Sequence, residues 1–207
     1  AMALSNGEKI PINVPGFHTG HMAALPPEVI EDLDSLPVYS YRSLKPPPLQ
    51  PDVAAISTAR GACPYRCAWC IEPVVGRMQG RKRLRFHSAD RIVDQIEALA
   101  EEGISRFTIQ DNFFVGGDSK LVALADALKR RGVKPKHLNV FAHPDSFTAD
   151  GISAFAGCCD LGSLDYGIET GSPRVAAVNN RRLDPDEVVD RVATAVSLGV
   201  EPYSWWM

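Results

Sequence analysis

The sequence predicts an α/β fold in which parallel strands and helices form a partial (β/α) TIM-like barrel. From residue 51 onward, strand-like segments alternate with segments whose apolar residues recur at helical spacing, which is typical of βαβ units around a parallel sheet. Four such repeats and a fifth strand follow one another, and the chain carries no phosphate-loop or dinucleotide fingerprint. These observations favour a barrel-type arrangement over a doubly wound sheet.

The first 50 residues differ from the rest and are rich in proline, as in the stretch KPPPLQ. Proline lacks a backbone donor and interrupts helices. We therefore interpret residues 1–50 as an extended linker or lead-in segment with at most one short helix, at residues 27–33. Residues 51–207 form the predicted barrel core.

Within the barrel core, the predicted elements follow in a regular order. Strands are expected at residues 53–58, 105–111, 138–143, 161–169 and 200–207, and helices at residues 89–103, 118–132, 148–158 and 184–199. Asp118 or Ser119 would cap the second helix and Gly132 would end it, while Pro185 lies in the first turn of the fourth. No helix follows the fifth strand, so we expect a core truncated after this strand.

Composition excludes several classes of protein. Hydrophobic residues make up 45% of the chain and the formal net charge is −3, so neither a membrane nor a nucleic acid is indicated globally. No apolar run approaches the roughly 20 residues that span a bilayer, and the N-terminus lacks the features of a signal peptide. Five cysteines that form no evident disulfide framework predict a reducing, cytoplasmic location. We interpret two of them, Cys158 and Cys159, as buried small hydrophobes.

The other three cysteines, Cys63, Cys67 and Cys70, follow the first predicted strand with C-x3-C-x2-C spacing. Loops after barrel strands carry the chemistry of such folds. Three thiolates can bind three irons of a cubane cluster and leave the fourth iron open. The alternative is a zinc site, which needs four ligands. His87 is a candidate fourth ligand, but it lies 17 residues on and has no partner at metal-finger spacing.

The cysteine spacing, with the aromatic Trp69 just before the last cysteine, resembles the signature of radical SAM enzymes. The resemblance implies a 4Fe-4S cluster whose open iron is chelated by S-adenosylmethionine (SAM). Reductive cleavage of SAM would then give a 5′-deoxyadenosyl radical that abstracts hydrogen from a substrate. It also implies a reductant protein of the flavodoxin or ferredoxin type, and a full or partial (β/α) barrel.

Four further stretches resemble the cobalamin-dependent branch of that superfamily. They are EDLDSLP at residues 31–37, IQDNFF at 109–114, YGIETGSPRV at 166–175 and VEPYSWWM at 200–207. The resemblance implies a methyltransferase, or a related radical-modifying enzyme, that acts on a small molecule. It also implies cobalamin, carried by a domain outside this chain.

The resemblance further assigns cofactor-binding roles to residues near the cysteines and after the second strand. Trp69 would lie near the adenine of SAM, and Tyr65 lies between the cluster ligands. Asp111 and Asn112 would meet the methionine end of SAM. Ordinary loop packing for Tyr65, and a turn or helix cap at Asp111 and Asn112, remain the alternatives.

On the fourth strand, Glu169 and Ser172 match positions that the resemblance assigns to the ribose of SAM. A carboxylate that ends an apolar strand needs a partner, which a ribose diol or the nearby Arg174 would supply. His143 and Asp145 end the third strand, where a structural histidine and a substrate contact are both open.

A basic run, residues 76–87, contains Arg77, Arg81, Lys82, Arg83 and Arg85. It could bind an acidic substrate, a phosphate or RNA, although a solvated basic loop is the commoner explanation of such a run. The run resembles basic segments of radical SAM methylthiotransferases, so a methylthiotransferase acting on RNA or protein is an alternative function. A third possibility is a non-catalytic metal-binding module.

Overall fold

The structure is a computed structural model that describes residues 29–42, 52–61, 63–74, 83–111, 114 and 116–207. The strands are β1 (Val53–Ile56), β2 (Ala59–Arg60), β3 (Arg85–Phe86), β4 (Arg106–Ile109), β5 (His137–Ala142), β6 (Leu161–Glu169) and β7 (Glu201–Trp206). The helices are α1 (Ala89–Ala100), α2 (Gly117–Arg131), α3 (Ala149–Ala156), α4 (Pro173–Val178) and α5 (Pro185–Ser197).

Five strands form one parallel sheet in the order β1-β4-β5-β6-β7. Each new strand is added on the same side of the previous one, which is how a (β/α) barrel grows; a doubly wound sheet would reverse direction at a switch point. The predicted α/β fold and partial barrel are therefore confirmed. The sheet brings the carboxyl ends of all five strands to one edge, where barrel proteins place their sites.

The hydrophobic core lies between the sheet and the helices. Because strand side chains alternate, Leu164, Tyr166 and Ile168 of β6 join the buried core, whereas Asp165, Gly167 and Glu169 line a cleft on the other side. The helices add the buried faces of α1, α2 and α3 to the core, through residues that include Val93, Leu99, Leu128 and Phe155. The sheet thus has an apolar outer face and a more polar inner face.

The described part of the lead-in segment, residues 29–42, packs against the exposed edge of the sheet. The hydroxyls of Tyr39 and Tyr41 donate to the Ala55 carbonyl, at 2.6 and 3.3 Å, and the Ala55 N–H donates to the Tyr41 hydroxyl at 3.1 Å. Gln95 on α1 pairs with both the N–H and the carbonyl of Tyr39. These contacts satisfy backbone groups of the edge strand β1 that would otherwise lie open to another chain.

Several local predictions were wrong or incomplete. Residues 29–32 of the predicted helix are not helical; a 3-10 turn covers Leu33–Ser35, with Asp32 as its cap, while residues 27 and 28 lie outside the described residues. Helix α2 begins at Gly117 with no side-chain cap, because the Asp118 carboxylate accepts from the Thr148 N–H at 3.0 Å instead. The two-stranded sheet of β2 with β3 and the helix α4 were not predicted.

Other local predictions were confirmed. Gly132 ends α2 in the left-handed conformation, with φ at 68°, and Pro185 begins α5. Cys158 and Cys159 are buried in the core.

Among the described helices, none combines the length and apolar character that a membrane crossing requires.

Candidate functional site

The cysteine loop follows β1 and the short strand β2 at the carboxyl edge of the sheet. Gly61 follows β2 directly with φ at 139°, and a side chain there would collide with the backbone of Arg83, which precedes β3. Only glycine allows this close approach. The loop that follows holds Cys63, Cys67 and Cys70 as half-buried free thiols.

The cysteine loop lines a cleft of about 410 Å³ together with the ends of β5, β6 and β7. The loop contributes Cys63, Tyr65, Trp69 and Cys70; the strands contribute Phe141, Ala142, Asp165, Gly167, Glu169, Trp205 and Trp206, and His143 and Arg181 complete the lining. Such a volume suits a small ligand. The structure therefore brings five of the predicted site residues to one cleft: Glu169 from β6 and four residues of the cysteine loop, Cys63, Tyr65, Trp69 and Cys70.

Tyr65 packs against the end of β5. Its ring stacks on the His143 ring with centroids 4.3 Å apart, and its hydroxyl donates to Asp145 Oδ1 at 2.9 Å. The Asp145 carboxylate also pairs with His143 Nδ1, and this hydrogen bond holds the pKa of Asp145 below its usual range. Burial raises the pKa of the Tyr65 hydroxyl. These contacts among Tyr65, His143 and Asp145 attach the cysteine loop to the end of β5, the third strand of the barrel.

One ring nitrogen of the buried His143 has no hydrogen-bond partner among the described residues. Its side chain is 4% exposed, and within the described part of the chain Nε2 makes no hydrogen bond. A buried ring nitrogen of this kind usually has a partner. The histidine lines the cleft, so a ligand in the cleft is one source of that partner.

Glu169 ends β6 in a strained conformation. Its φ is 68°, a value that costs a non-glycine residue about 1–3 kcal/mol. The pairing of β6 with β7 is irregular between Gly167 and Glu169. Such bulges re-aim side chains and are common near functional sites, and here both residues line the cleft.

Two predicted SAM-binding residues do not line the cleft. The Asp111 carboxylate accepts from Ser57 Oγ at 2.7 Å and from the Thr58 and Ala59 N–H groups at 3.0 and 3.2 Å. Ser172 caps α4 by accepting from the Val175 N–H at 3.4 Å. Asn112 lies outside the described residues. Contacts of these three residues with SAM stay predictions.

Sequence reasoning missed several residues of the cleft, among them Arg181, Trp205 and Trp206. Arg181 is 9% exposed and its Nη1 lies 3.8 Å from Cys67 Sγ. The two tryptophans come from β7, and each is more than half exposed. Their place at the end of a fifth barrel strand was the only signal in the sequence that could have assigned them to the cleft.

Among the described residues, no three Cys, His, Asp or Glu side chains form a group that could hold a metal ion. In a 4Fe-4S cluster each of the three cysteines would bind a different iron, and their role as cluster ligands stays a prediction. Burial raises the pKa of the Cys63 thiol, and the neighbouring thiols Cys70 and Cys67 add to this shift. Bound iron would stabilise the thiolates against both effects.

His87, the candidate fourth zinc ligand, is engaged elsewhere. Its Nδ1 lies 3.1 Å from Asp34 Oδ1 in the lead-in segment, and it is absent from the cleft lining among the described residues. The structure therefore does not place His87 as a fourth metal ligand beside the three cysteines.

Two residues of the basic run are paired within the chain. Arg83 binds Glu31, with Nη2 2.6 Å from Oε2, and Arg85 donates to the Ile30 carbonyl. Arg77, Arg81 and Lys82 lie outside the described residues. The described part of the run thus holds the lead-in segment against the barrel.

A parallel (β/α) barrel with a three-cysteine loop after its first strand fits the core of an iron–sulfur protein. The sequence profile of the radical SAM superfamily matches residues 60–205, most of the chain. The chain belongs to the radical SAM superfamily. This membership confirms the expected superfamily and its cofactors, a 4Fe-4S cluster and SAM.

Curated relatives include methyl-transferring and methylthio-transferring proteins. The chain is 25% identical over 206 residues to an uncharacterized methyltransferase of Pyrococcus horikoshii, which covers 96% of this chain and 43% of that protein. It is 30% identical over 159 residues to the ribosomal protein uS12 methylthiotransferase RimO of Nostoc punctiforme, covering 72% of this chain and 34% of that protein. The chain thus spans less than half the length of either relative.

Solved structures with the same fold include two cobalamin-dependent enzymes. The methyltransferase TsrM of Kitasatospora setae, with tryptophan and a SAM analogue bound, superposes with a TM-score of 0.70 at 20% identity, over 98% of this chain and 42% of that one. The cobalamin-dependent enzyme OxsB superposes with a TM-score of 0.75 at 16% identity, over 100% of this chain and 31% of that one. These likenesses confirm the fold.

Proposed function

We propose that this chain is the catalytic core of a radical SAM enzyme in which Cys63, Cys67 and Cys70 hold a 4Fe-4S cluster and SAM occupies the adjoining cleft. The observation that carries the proposal is the shared lining: Cys63 and Cys70 border the same cleft as Glu169. When bound, the cluster and SAM supply the reductive cleavage that gives a 5′-deoxyadenosyl radical. The barrel binds and orients both groups.

The cleft residues have distinct parts in this proposal. Trp69 and Tyr65 flank the adenine side, where their rings bury apolar surface of the cofactor. The Glu169 carboxylate accepts hydrogen bonds from the ribose hydroxyls, which explains why the chain holds this residue in a strained conformation. Trp205 and Trp206 cover the cleft from the fifth strand and exclude water from it.

In this proposal, Asp111 and Ser172 position the backbone segments next to the site. Asp111 ties the end of β1 to the end of β4, so it positions the segment that leads into the cysteine loop. Ser172 caps α4 directly after Glu169 and sets the course of the chain there.

We propose a cobalamin-dependent methyl transfer, or a related radical modification, of a small molecule as the reaction of the parent enzyme. The likeness to TsrM and OxsB and the methyltransferase relative of Pyrococcus horikoshii support this choice. Cobalamin would be held by a domain outside this chain, and a flavodoxin- or ferredoxin-type protein would supply the electron.

A methylthiotransferase is the second candidate, because proteins of the RimO type are among the relatives. Two assays on the full-length gene product separate the candidates. Copurified cobalamin that accepts a methyl group from SAM supports the first candidate. A second iron–sulfur cluster and SAM-dependent sulfur insertion into a peptide or RNA support the second.

Iron and sulfide analysis tests the cluster assignment. After anaerobic reconstitution, the wild-type chain should hold about four irons per molecule, and Cys67→Ser should lose most of them. Cys158→Ala is the matched control, since this thiol is buried in the core, and it should keep its iron. Bound zinc in place of iron, or full iron in Cys67→Ser, would contradict the proposal and favour a non-catalytic metal-binding module.

A further inference from the structure

Arg181 places a buried positive charge against the cysteine loop. Its side chain is 9% exposed. One terminal nitrogen, Nη1, lies 3.8 Å from Cys67 Sγ, and the other donates to the Gly167 carbonyl on β6. The Nε–H is buried and has no hydrogen-bond partner among the described residues. Among the described residues no ion pair with a carboxylate involves this guanidinium, although Glu169 Oε1 and Arg181 Nη2 both lie beside Gly167.

The backbone around Arg181 is also fixed to the cysteine loop. The Asn179 carbonyl accepts from the Ala68 N–H at 3.0 Å. Asn180 adopts a left-handed conformation with φ at 54°, and the Arg181 N–H returns to the Ala176 carbonyl at 2.9 Å. The segment between α4 and α5 therefore contacts two consecutive residues of the cysteine loop. The Asn179 backbone contacts Ala68, and the Arg181 side chain contacts Cys67.

A buried guanidinium that forms no ion pair with a carboxylate favours another anion nearby, because a buried charge without a partner is unfavourable. A 4Fe-4S cluster held by three thiolates is anionic overall, and it becomes more so on reduction. Hydrogen bonds and positive charge near the sulfurs are among the factors that set a cluster's reduction potential. Arginine suits this place because it stays charged under all physiological conditions.

We propose that Arg181 is the charge-balancing and positioning residue of the cluster. Its guanidinium donates to the Cys67 sulfur and stabilises the reduced, more negative cluster more than the oxidised one. Arg181 thereby raises the reduction potential and brings the cluster within reach of its electron donor. This inference rests on the proposed function, since it requires the three cysteines to hold a cluster.

An EPR-monitored redox titration without SAM tests the inference. The reconstituted proteins are wild type, Arg181→Gln, Arg181→Lys and the control Arg182→Gln, whose native side chain is 73% exposed beside Glu187. At the wild-type midpoint, the ratio of reduced to oxidised cluster should fall about tenfold in Arg181→Gln, in line with outer-shell effects on metal sites. For a one-electron couple this is about 59 mV. Arg181→Lys should recover part of the loss, and Arg182→Gln should match wild type.

A cluster with an unchanged midpoint in Arg181→Gln would overturn the inference while leaving the proposed function in place. A wild-type chain that takes up no cluster would overturn the proposed function itself. If Arg181→Gln fails to fold, pulsed EPR on wild type labelled with guanidino-¹⁵N arginine decides the matter. A ¹⁵N coupling to the reduced cluster that persists in Arg182→Gln supports the inference, and no ¹⁵N coupling in wild type contradicts it.

Discussion

Asp111 lies just past the end of β4, and its carboxylate holds the segment that follows the neighbouring strand β1. Ser57, Thr58 and Ala59 all donate to it, at distances from 2.7 to 3.2 Å for the Ser57 hydroxyl and the two backbone N–H groups. Thr58 is 4% exposed and Ala59 is 6% exposed. Because water has little access to these donors, we predict that Asp111→Ala destabilises the fold.

The size of the effect follows from the number of donors and from the charge of the acceptor. A hydrogen bond to a charged group contributes about 1.5–3 kcal/mol, and bonds within one network are not additive. We expect Asp111→Ala to lower the free energy of unfolding by about 3 kcal/mol. Asp111→Asn keeps one acceptor oxygen, so its loss should be about half as large. For a chain of this size, 3 kcal/mol corresponds to a melting temperature lower by about 6–12 °C.

Urea unfolding of the cluster-free chain, followed by far-ultraviolet circular dichroism, measures this loss. The control is Asp126→Ala on α2, an exposed aspartate, which should stay within about 0.5 kcal/mol of wild type. Asp111→Ala with wild-type stability would refute the reasoning. If that variant also lost its response to SAM, the residue would be a cofactor contact, as the sequence resemblance implies.

Three further predictions concern packing, SAM binding and pH. Gly162→Ala places a Cβ 2.7 Å from Phe155 Cε1, and it should lower the free energy of unfolding in urea by about 1–3 kcal/mol. The control is Gly157→Ala, whose Cβ meets nothing closer than 3.7 Å and which should be tolerated. Equal stabilities of the two variants would argue against tight packing at Gly162. Glu169→Ala should keep its cluster but weaken SAM binding at least tenfold in equilibrium dialysis, and unaltered affinity would remove the ribose assignment. Burial lowers the pKa of His137, so the unfolded chain binds this proton more readily and stability should fall as the pH drops through the unfolded value of about 6.5. His137→Gln should flatten that part of the stability curve, and an unchanged slope would show that His137 is not its source.

The barrel was predictable because its strands and helices are long enough to show their periods. Strand β6 spans Leu161–Glu169 as predicted, since its apolar run is bounded by turn residues. The two-residue strands β2 and β3 are too short for any period to appear. Near residue 30 the sequence allowed at most one short helix, but Asp32 caps a single 3-10 turn and Leu36 is already extended.

The candidate site was predictable only where its signal is local. The three cysteines stand within eight positions, and their spacing alone indicates a metal cluster. Arg181 lies 114 residues from Cys67 in the chain, so only the fold brings the two together. Asp111 illustrates a different limit. Its position after a strand is visible in the sequence, but its hydrogen bonds from Ser57 and Thr58 are visible only in the fold.

The most direct test of the central claim is the EPR spectrum of the anaerobically reconstituted, reduced chain, recorded with and without SAM. We predict a 4Fe-4S signal that changes when SAM is added, because three cysteines leave one iron open to the cofactor. Cys67→Ser should show no such signal. A chain that binds no iron, or a cluster whose spectrum is indifferent to SAM, would contradict the assignment of the cleft beside Cys63 and Cys70 as the SAM site.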